Sequence, residues 1–487
     1  MAAHPAVHSS RPVPGLLRTL GLWDVVTMTV VGVVTLRWIT RAARIGPASL
    51  VLWMLAWLAF FVPLSAAVTE LASRYPEEGG IYAWTRRALG PTHAFVCGWC
   101  LWVNNLFYFP SMLLFASANA AGVFAGVSPQ LADNRLYSVL FVLGGLWLSA
   151  WLAIIGFRAG RWMNTAGSLA LWVPAALLVA AGVVALAGSG SATSFAPRDL
   201  VPRGEWWPML GLWSGICFGF SGFEVTTLVG QEVREARRTI PRGVLLAGAI
   251  ATVIYIAGTA SVLITIPSGS LLERTGIGDA IELAASRTHG VHLGAFAGIV
   301  LALGAAAASN AWFASAGRVP FAVGLDRACP PIVARLHARY HTPHVALIVQ
   351  AAASSALFLA SVFVSVTGTT SVQEAYDILV NLTILLYFIP YLYLFVSFLV
   401  LRRGRGTAID EIHVGGGRVG VAALAGTGIA ATGVSLLLVV VPPPGTRSAL
   451  NYEVNVLGQT LLLLACGLGL YWWSRRKDGK QKAVSRQ

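Results

Sequence analysis

Charge is what this sequence has least of. Only 11% of its 487 residues are Asp, Glu, Lys or Arg, against 56% hydrophobic, and the mean hydropathy is +0.71. A soluble domain carries about 25% charged residues, so a water-exposed globular body is excluded and an integral membrane protein is implied. Cysteine is scarce as well. Cys97, Cys100, Cys217, Cys329 and Cys466 give no paired framework. Cys97 and Cys100 form a CxxC without a thioredoxin-like context, and both read as small packing residues, since buried thiols are usually inert. The nine His show no metal-ligand spacing, and neither an H-E-x-x-H helix nor a Ser/His/Asp grouping is present. No enzyme chemistry, metal or cofactor is therefore expected. Residues 1–20 are polar and Pro-rich, and the first apolar run is too long for a signal peptide and lacks a cleavage site.

What the sequence does have is apolar runs. Twelve reach the ~20 residues a membrane helix needs, near 22–44, 49–72, 92–124, 136–156, 162–187, 206–231, 242–266, 291–316, 343–366, 374–401, 418–441 and 453–474. The third is overlong, with a kink expected at Pro110. Residues 188–196, 267–290 and 442–445 read as loops, and 278–288 as a short amphipathic external helix. With both termini placed inside, 25 of the 34 Lys and Arg fall on the cytoplasmic side, as the positive-inside rule requires. That distribution explains the net charge of +14 without nucleic acid. The basic tail from Arg475 is expected to rest on anionic headgroups.

One stretch is out of place in a lipid-facing helix. Gly215-Ile216-Cys217-Phe218-Gly219-Phe220-Ser221-Gly222-Phe223-Glu224 packs three glycines, a serine and a carboxylate into an apolar span. At membrane depth every backbone N–H and C=O must find a partner, so broken helix is tolerable only in protein or beside a cavity. Glu224 at that depth costs roughly 2.5–3.5 kcal/mol on insertion scales. The composition points to an interrupted helix at a midplane substrate site of a secondary transporter.

Three further stretches carry a resemblance. Glu70-Leu71, then Arg74-Tyr75-Pro76-Glu77-Glu78-Gly79-Gly80-Ile81-Tyr82, resembles the loop after the second helix of amino acid–polyamine–organocation permeases. Phe220-Ser221-Gly222-Phe223-Glu224 with Glu232 and Arg237-Arg238-Thr239-Ile240-Pro241-Arg242 is similar to their sixth helix and the loop after it. Arg318-Val319-Pro320-Phe321-Ala322-Val323-Gly324-Leu325-Asp326 resembles the loop after the eighth. The three occur in the family's order across about the first 400 residues.

The resemblance implies an all-α, LeuT-like membrane protein of about 12 helices, with spans 1–5 and 6–10 as inverted repeats and helices 1 and 6 broken. It divides the chain into a cytoplasmic segment 1–20, a ten-helix core 21–402 (repeats about 21–187 and 206–402), two additional helices within 403–474, and a basic tail 475–487. It further implies a plasma (inner) membrane permease or exchanger with both termini cytoplasmic, moving an amino acid by alternating access. A polyamine or amine permease and a non-transporting sensor on the same scaffold are the alternatives. The expected partners are the small-molecule substrate, the lipid bilayer, and protons or a counter-substrate.

By the same resemblance, Val31, Gly32, Val33 and Val34 in helix 1, with Phe218, Gly219, Ser221 and Gly222 in helix 6, form the substrate site. Phe218 is the aromatic that closes over substrate, and Glu224 and Trp312 are gating groups; from the residues alone, a structural hydrogen-bond hub for Glu224 and bundle filler for Phe218 and Trp312 are the other readings. Asn104 and Asn105 in span 3 have ligand contact and interhelical bonding as equal readings, and Asp377 with Asn381 in span 10 has gate and glue. Two departures stand out. The helix-1 run has a single glycine, Gly32, among β-branched residues that resist unwinding. Span 5 has no Lys, which some relatives use as a proton site. Arg37, Arg41 and Arg44 share one helical face at the outer end of span 1. They either snorkel to outer headgroups or form an electropositive vestibule that attracts acidic substrates.

Overall fold

The computed structural model describes residues 21–75, 79–124, 128, 130–155, 157–188, 190–201, 206–224, 233–267, 274–289, 293–316, 331–340, 342–363, 371–402, 414–443 and 446–484. The loop motif 318–326 and Glu232 lie outside them. Among the described residues the regular structure is helical, and no strand is formed. In chain order the helices are α1 (Leu22–Val33), α2 (Arg37–Ala43), α3 (Ala48–Arg74), α4 (Ile81–Leu89), α5 (Pro91–Ala121), α6 (Arg135–Ile155), α7 (Phe157–Gly188), α8 (Trp206–Gly219), α9 (Ala236–Thr265), α10 (Gly276–His289), α11 (Gly294–Ala316), α12 (His344–Phe363), α13 (Val372–Arg402), α14 (Gly417–Leu438) and α15 (Ala449–Val484).

Among the described residues eight of these are long and apolar enough to cross a membrane: α3, α5, α6, α9, α12, α13, α14 and α15. The other four apolar runs of the sequence are helical over shorter described stretches, in α1–α2, α7, α8 and α11. The chain is thus a multi-pass membrane protein. Its outer faces agree with that. Leu136, Leu140, Trp147, Leu148 and Trp151 on α6, and Leu461, Leu462 and Trp472 on α15, are exposed apolar side chains. Water would penalise such a surface, whereas lipid tails cover it at no cost.

The centre is built on α5 and α13, whose residues are buried over most of their length. α11 packs on α5 and α7, and α1 on α9. α5 starts where Gly90, at φ 89°, turns the chain and Pro91 supplies the preset φ of a first helical position. It then runs through Pro110 without ending. Within α3, a π-helical turn at Trp57–Phe61 aims Phe60 and Phe61 at the core. Phe60 packs on Phe388 and Tyr391, and Phe61 on Phe220 and Phe223.

At the other end of α3 the completely buried Glu70 explains the Glu-Leu of the sequence motif. Its carboxylate accepts from Arg402 Nη1 and from the Val414 backbone N–H (3.0 Å), while Arg74 Nη1 lies 3.6 Å away. Arg402 Nη2 donates back to the Val414 carbonyl (3.0 Å). The last turn of α13 is thereby fixed to α3 and to the approach to α14.

Two of the apolar runs are not continuous helix. α1 stops at Val33, Val34 and Thr35 are non-helical, and α2 begins at Arg37. Helix continues through Gly32, so the interruption lies just beyond the one glycine, at the branched residues. Val34 has φ −74° and ψ 113°, an extended conformation. Branching at Cβ lowers helix preference and favours extended backbone, so Val34 and Thr35 promote the break that they were expected to resist. The second interruption follows α8. Phe220 N–H bonds to Cys217 O (3.0 Å) and Ser221 N–H to Phe218 O (2.9 Å), tightening the last turn. Gly222 then sits at φ 93°, a conformation that glycine alone adopts freely.

Candidate functional site

Both interruptions open onto one pocket. It is lined by Val33, Thr35 and Trp38 from the first, by Phe218, Ser221 and Gly222 from the second, by Asn104, Asn105 and Tyr108 from α5, by Trp312 from α11 and by Tyr387 from α13. It encloses about 400 Å³ of empty space, its open mouth included. Its walls are mainly aromatic faces. Phe218 packs against Trp38 (centroids 5.1 Å apart), Tyr387 (5.5 Å) and Phe388 (5.9 Å), and Tyr108 lies 6.3 Å from Trp312.

The polar groups are few and placed. Asn104 and Asn105 each give an Nδ2 hydrogen to the carbonyl of Leu101. An amide has two such hydrogens and an acceptor oxygen, so each retains capacity for a ligand. Ser221 Oγ donates to Phe218 O (2.7 Å), and Thr35 Oγ1 is buried with no hydrogen-bond partner. Among the described residues no carboxylate lines the pocket.

Glu224 stands one hydrogen bond behind the wall. Tyr387, which does line the pocket, donates to Glu224 Oε1 (2.6 Å), and Tyr391 donates to Oε2 (2.9 Å). Tyr391 OH in turn accepts the backbone N–H of Gly222 (2.7 Å). The carboxylate therefore holds the hydroxyl that satisfies the exposed backbone of the second interruption. Gly219 contributes backbone only: its carbonyl accepts from Tyr255 OH (3.0 Å), and Tyr255 stacks on Trp53 (4.5 Å, 8°).

Of the residues singled out from sequence, Val33, Asn105, Phe218, Ser221, Gly222 and Trp312 meet in this pocket. Val34 is buried at its edge, and Val31 and Gly32 lie in the last turns of α1. Asp377 is elsewhere. It lines a second cavity with Glu374, Asn451 and Tyr452, accepts from Gln373 Nε2 (3.3 Å) and lies 3.9 Å from Arg44 Nη1. Its neighbour Asn381 accepts from Arg41 Nη2 (2.6 Å) and donates to Tyr452 OH, so that amide bonds between helices. Trp38, Tyr108, Tyr387 and Tyr391 were not singled out as site residues, because aromatics in an apolar span look like packing; Asn104, weighed together with Asn105, does line the pocket.

The three arginines overturn both sequence readings for Arg37 and Arg41. Each has 0% exposure, so they neither snorkel nor line an open vestibule. Arg41 packs where Gly215 has no side chain; a Cβ at Gly215 would collide with its Nε and Cδ. Depth, not face, was misjudged, because helical spacing reports direction only.

A multi-pass membrane protein, helical among its described residues, in which two helices end beside one pocket, defines a class. Within it, the chain belongs to the amino acid permease family, whose profile matches residues 20–466, and so to the amino acid–polyamine–organocation superfamily. It is similar to an uncharacterized transporter of Legionella pneumophila, 23% identical over 92% of this chain and 95% of that one. An uncharacterized transporter of Mycobacterium tuberculosis is 29% identical over 70% of this chain and 74% of its own. A protein of Lactococcus lactis named as a probable agmatine/putrescine antiporter is 22% identical over half of each chain. The family and these relatives are transporters, not enzymes.

Proposed function

We propose that the protein carries an amino acid across the plasma membrane by alternating access, with the pocket as its substrate site. The fold in this reading is LeuT-like. Twelve spans leave both termini cytoplasmic; residues about 21–187 and 206–402 are inverted repeats, and the helices within 403–474 are additions to the ten-helix core. One observation carries it: α1 and α8 both leave helical geometry at the same pocket. In a bilayer, non-helical backbone is kept only where it is buried in protein or lines a cavity. Substrate atoms then bind the backbone of the two breaks and the amides of Asn104 and Asn105. Phe218 covers the apolar part, and Tyr387 relays occupancy to Glu224 and, through Tyr391, to Gly222. Protons or a counter-substrate drive the cycle through this relay.

Purified protein in proteoliposomes should take up at least one labelled amino acid, with uptake abolished in Phe218→Ala or Asn105→Ala variants that still fold. Uptake unaffected by both substitutions would place the substrate elsewhere. A second reading, transport of an amine, rests on the aromatic lining, since ring faces attract cations, and on the Lactococcus relative, named as a probable agmatine/putrescine antiporter. The same panel extended to putrescine and agmatine separates the two.

A further inference from the structure

Arg37 is buried without the partners that a buried cation needs. Its exposure is 0%, and a guanidinium stays charged and carries five N–H donors. Only Nη1 has a hydrogen-bond acceptor, the neutral hydroxyl of Ser111 at 2.9 Å. Nε and Nη2 have none. Among the described residues no carboxylate lies within ion-pair distance of it. Other arginines of this protein are treated differently. Arg402 is paired with Glu70, Arg44 faces Asp377, and Arg274 reaches Asp133 (2.6 Å), Gln373 (2.8 Å) and the Ala132 carbonyl (3.0 Å). A buried charge with no counter-charge is strongly unfavourable.

The position of that charge decides what it is for. The guanidinium carbon lies 4.5 Å from the Trp38 ring centroid and 5.1 Å from that of Tyr108. Both rings are walls of the pocket, so the cation stands directly behind them. Two residues before it, Thr35 lines the pocket with a buried hydroxyl that also has no partner. Among the described residues no acid lines the cavity, and Glu224, behind its wall, is already held by two tyrosine hydroxyls. The pocket thus has a fixed positive charge and unused donors, and nothing to neutralise an ammonium group.

We infer that Arg37 is the counter-charge for an anionic group of the substrate, so that the pocket takes a carboxylate-bearing molecule and rejects diamines. This rests on the reading of the pocket as the substrate site. The carboxylate is drawn towards the Trp38–Tyr108 side, with the Thr35 hydroxyl as an added donor. Reaching Nε and Nη2 requires one of the two rings to turn aside, and the oxygen partners so gained make loading stabilising.

The test uses the full-length protein in lipid nanodiscs, with binding read by calorimetry and thermal shift. The probes are the standard amino acids, 4-aminobutyrate, succinate, putrescine, cadaverine and agmatine, each in chloride and in chloride-free methanesulfonate buffer. A carboxylate-bearing probe should bind and raise the unfolding temperature, while putrescine and cadaverine do neither. Arg37→Gln should weaken that carboxylate at least tenfold and narrow its advantage over the diamines, and Arg37→Lys should restore most of the loss. Binding of diamines in preference to every carboxylate overturns the inference in the wild-type protein alone, even if Arg37→Gln fails to fold. So does binding of no carboxylate, an unchanged ranking in folded Arg37→Gln, or stabilisation by chloride alone. Phe218→Ala keeps the two readings apart. If it leaves carboxylate binding unchanged, the pocket assignment fails and this inference with it. If it weakens binding while diamines are preferred, only the role of Arg37 fails.

Discussion

The chain leaves helical geometry twice beside the pocket, by opposite means. After α8 the break is made by a residue without a side chain, Gly222 at φ 93°. After α1 it is made by residues branched at Cβ, with Val34 extended at φ −74° and ψ 113°. Glycine permits a conformation that other residues cannot hold cheaply; branched residues prefer one that many can hold. The first device is specific and intolerant. The second is redundant, because either neighbour suffices to bias the backbone. It follows that the two halves of the pocket differ in how much sequence change they survive.

The largest effect is expected from attacking the glycine. In Gly222→Val the left-handed φ is strained and the new Cβ stands 3.2 Å from Val33 Cγ2. About 1–3 kcal/mol of stability should be lost, together with nearly all uptake in proteoliposomes. Wild-type uptake by that variant would erase the contrast. Next comes Tyr391→Phe, which strips the acceptor from the Gly222 N–H and a donor from Glu224. An unsatisfied buried donor costs about 1–3 kcal/mol, read as a lower unfolding temperature. An unchanged one would mean that the backbone finds another partner.

Phe218→Ala should act on the ligand more than on the fold. It removes the ring that packs on Trp38 and Tyr387, and affinity should fall about tenfold, about 1.4 kcal/mol, in calorimetry of a variant that still inserts. The smallest effect belongs to the branched side. Thr35→Val keeps the extended bias and loses only a hydroxyl, so stability should be unchanged. Binding should weaken by about 1 kcal/mol, the worth of one hydrogen bond. Large destabilisation by Thr35→Val would show the first break to be as demanding as the second.

The same contrast explains what the sequence could reveal. The run from Gly215 to Glu224 was legible because glycine, serine and a carboxylate have no business on a lipid-facing helix. Val34-Thr35-Leu36 was not, since branched residues are ordinary in apolar spans and only their neighbours decide whether helix wins. That the chain is helical and crosses a membrane several times was readable from apolar length. Depth was not, which is why Arg37 and Arg41 looked like surface groups: their spacing fixed a face, while burial depends on α5 and α13, far along the chain. The link from Glu224 to Tyr387 and Tyr391 spans more than 160 residues and leaves no local trace. Tyr108, Tyr387 and Trp38 gave no signal distinct from packing.

One hydrogen-bonded chain bears on modularity. Arg41 Nη2 donates to Asn381, Asn381 donates to Tyr452 OH, and Tyr452 donates to the Val439 carbonyl (2.9 Å). It leads from α2 through α13 to α15 and the end of α14. The last two helices are therefore not a detachable appendix. A chain ending after α13 would strand Asn381 in the interior of the bundle and slacken the segment that carries Arg37. Shuffling or trimming the C-terminal pair in an engineered or duplicated gene would be felt at the pocket before it was felt at the protein's edge.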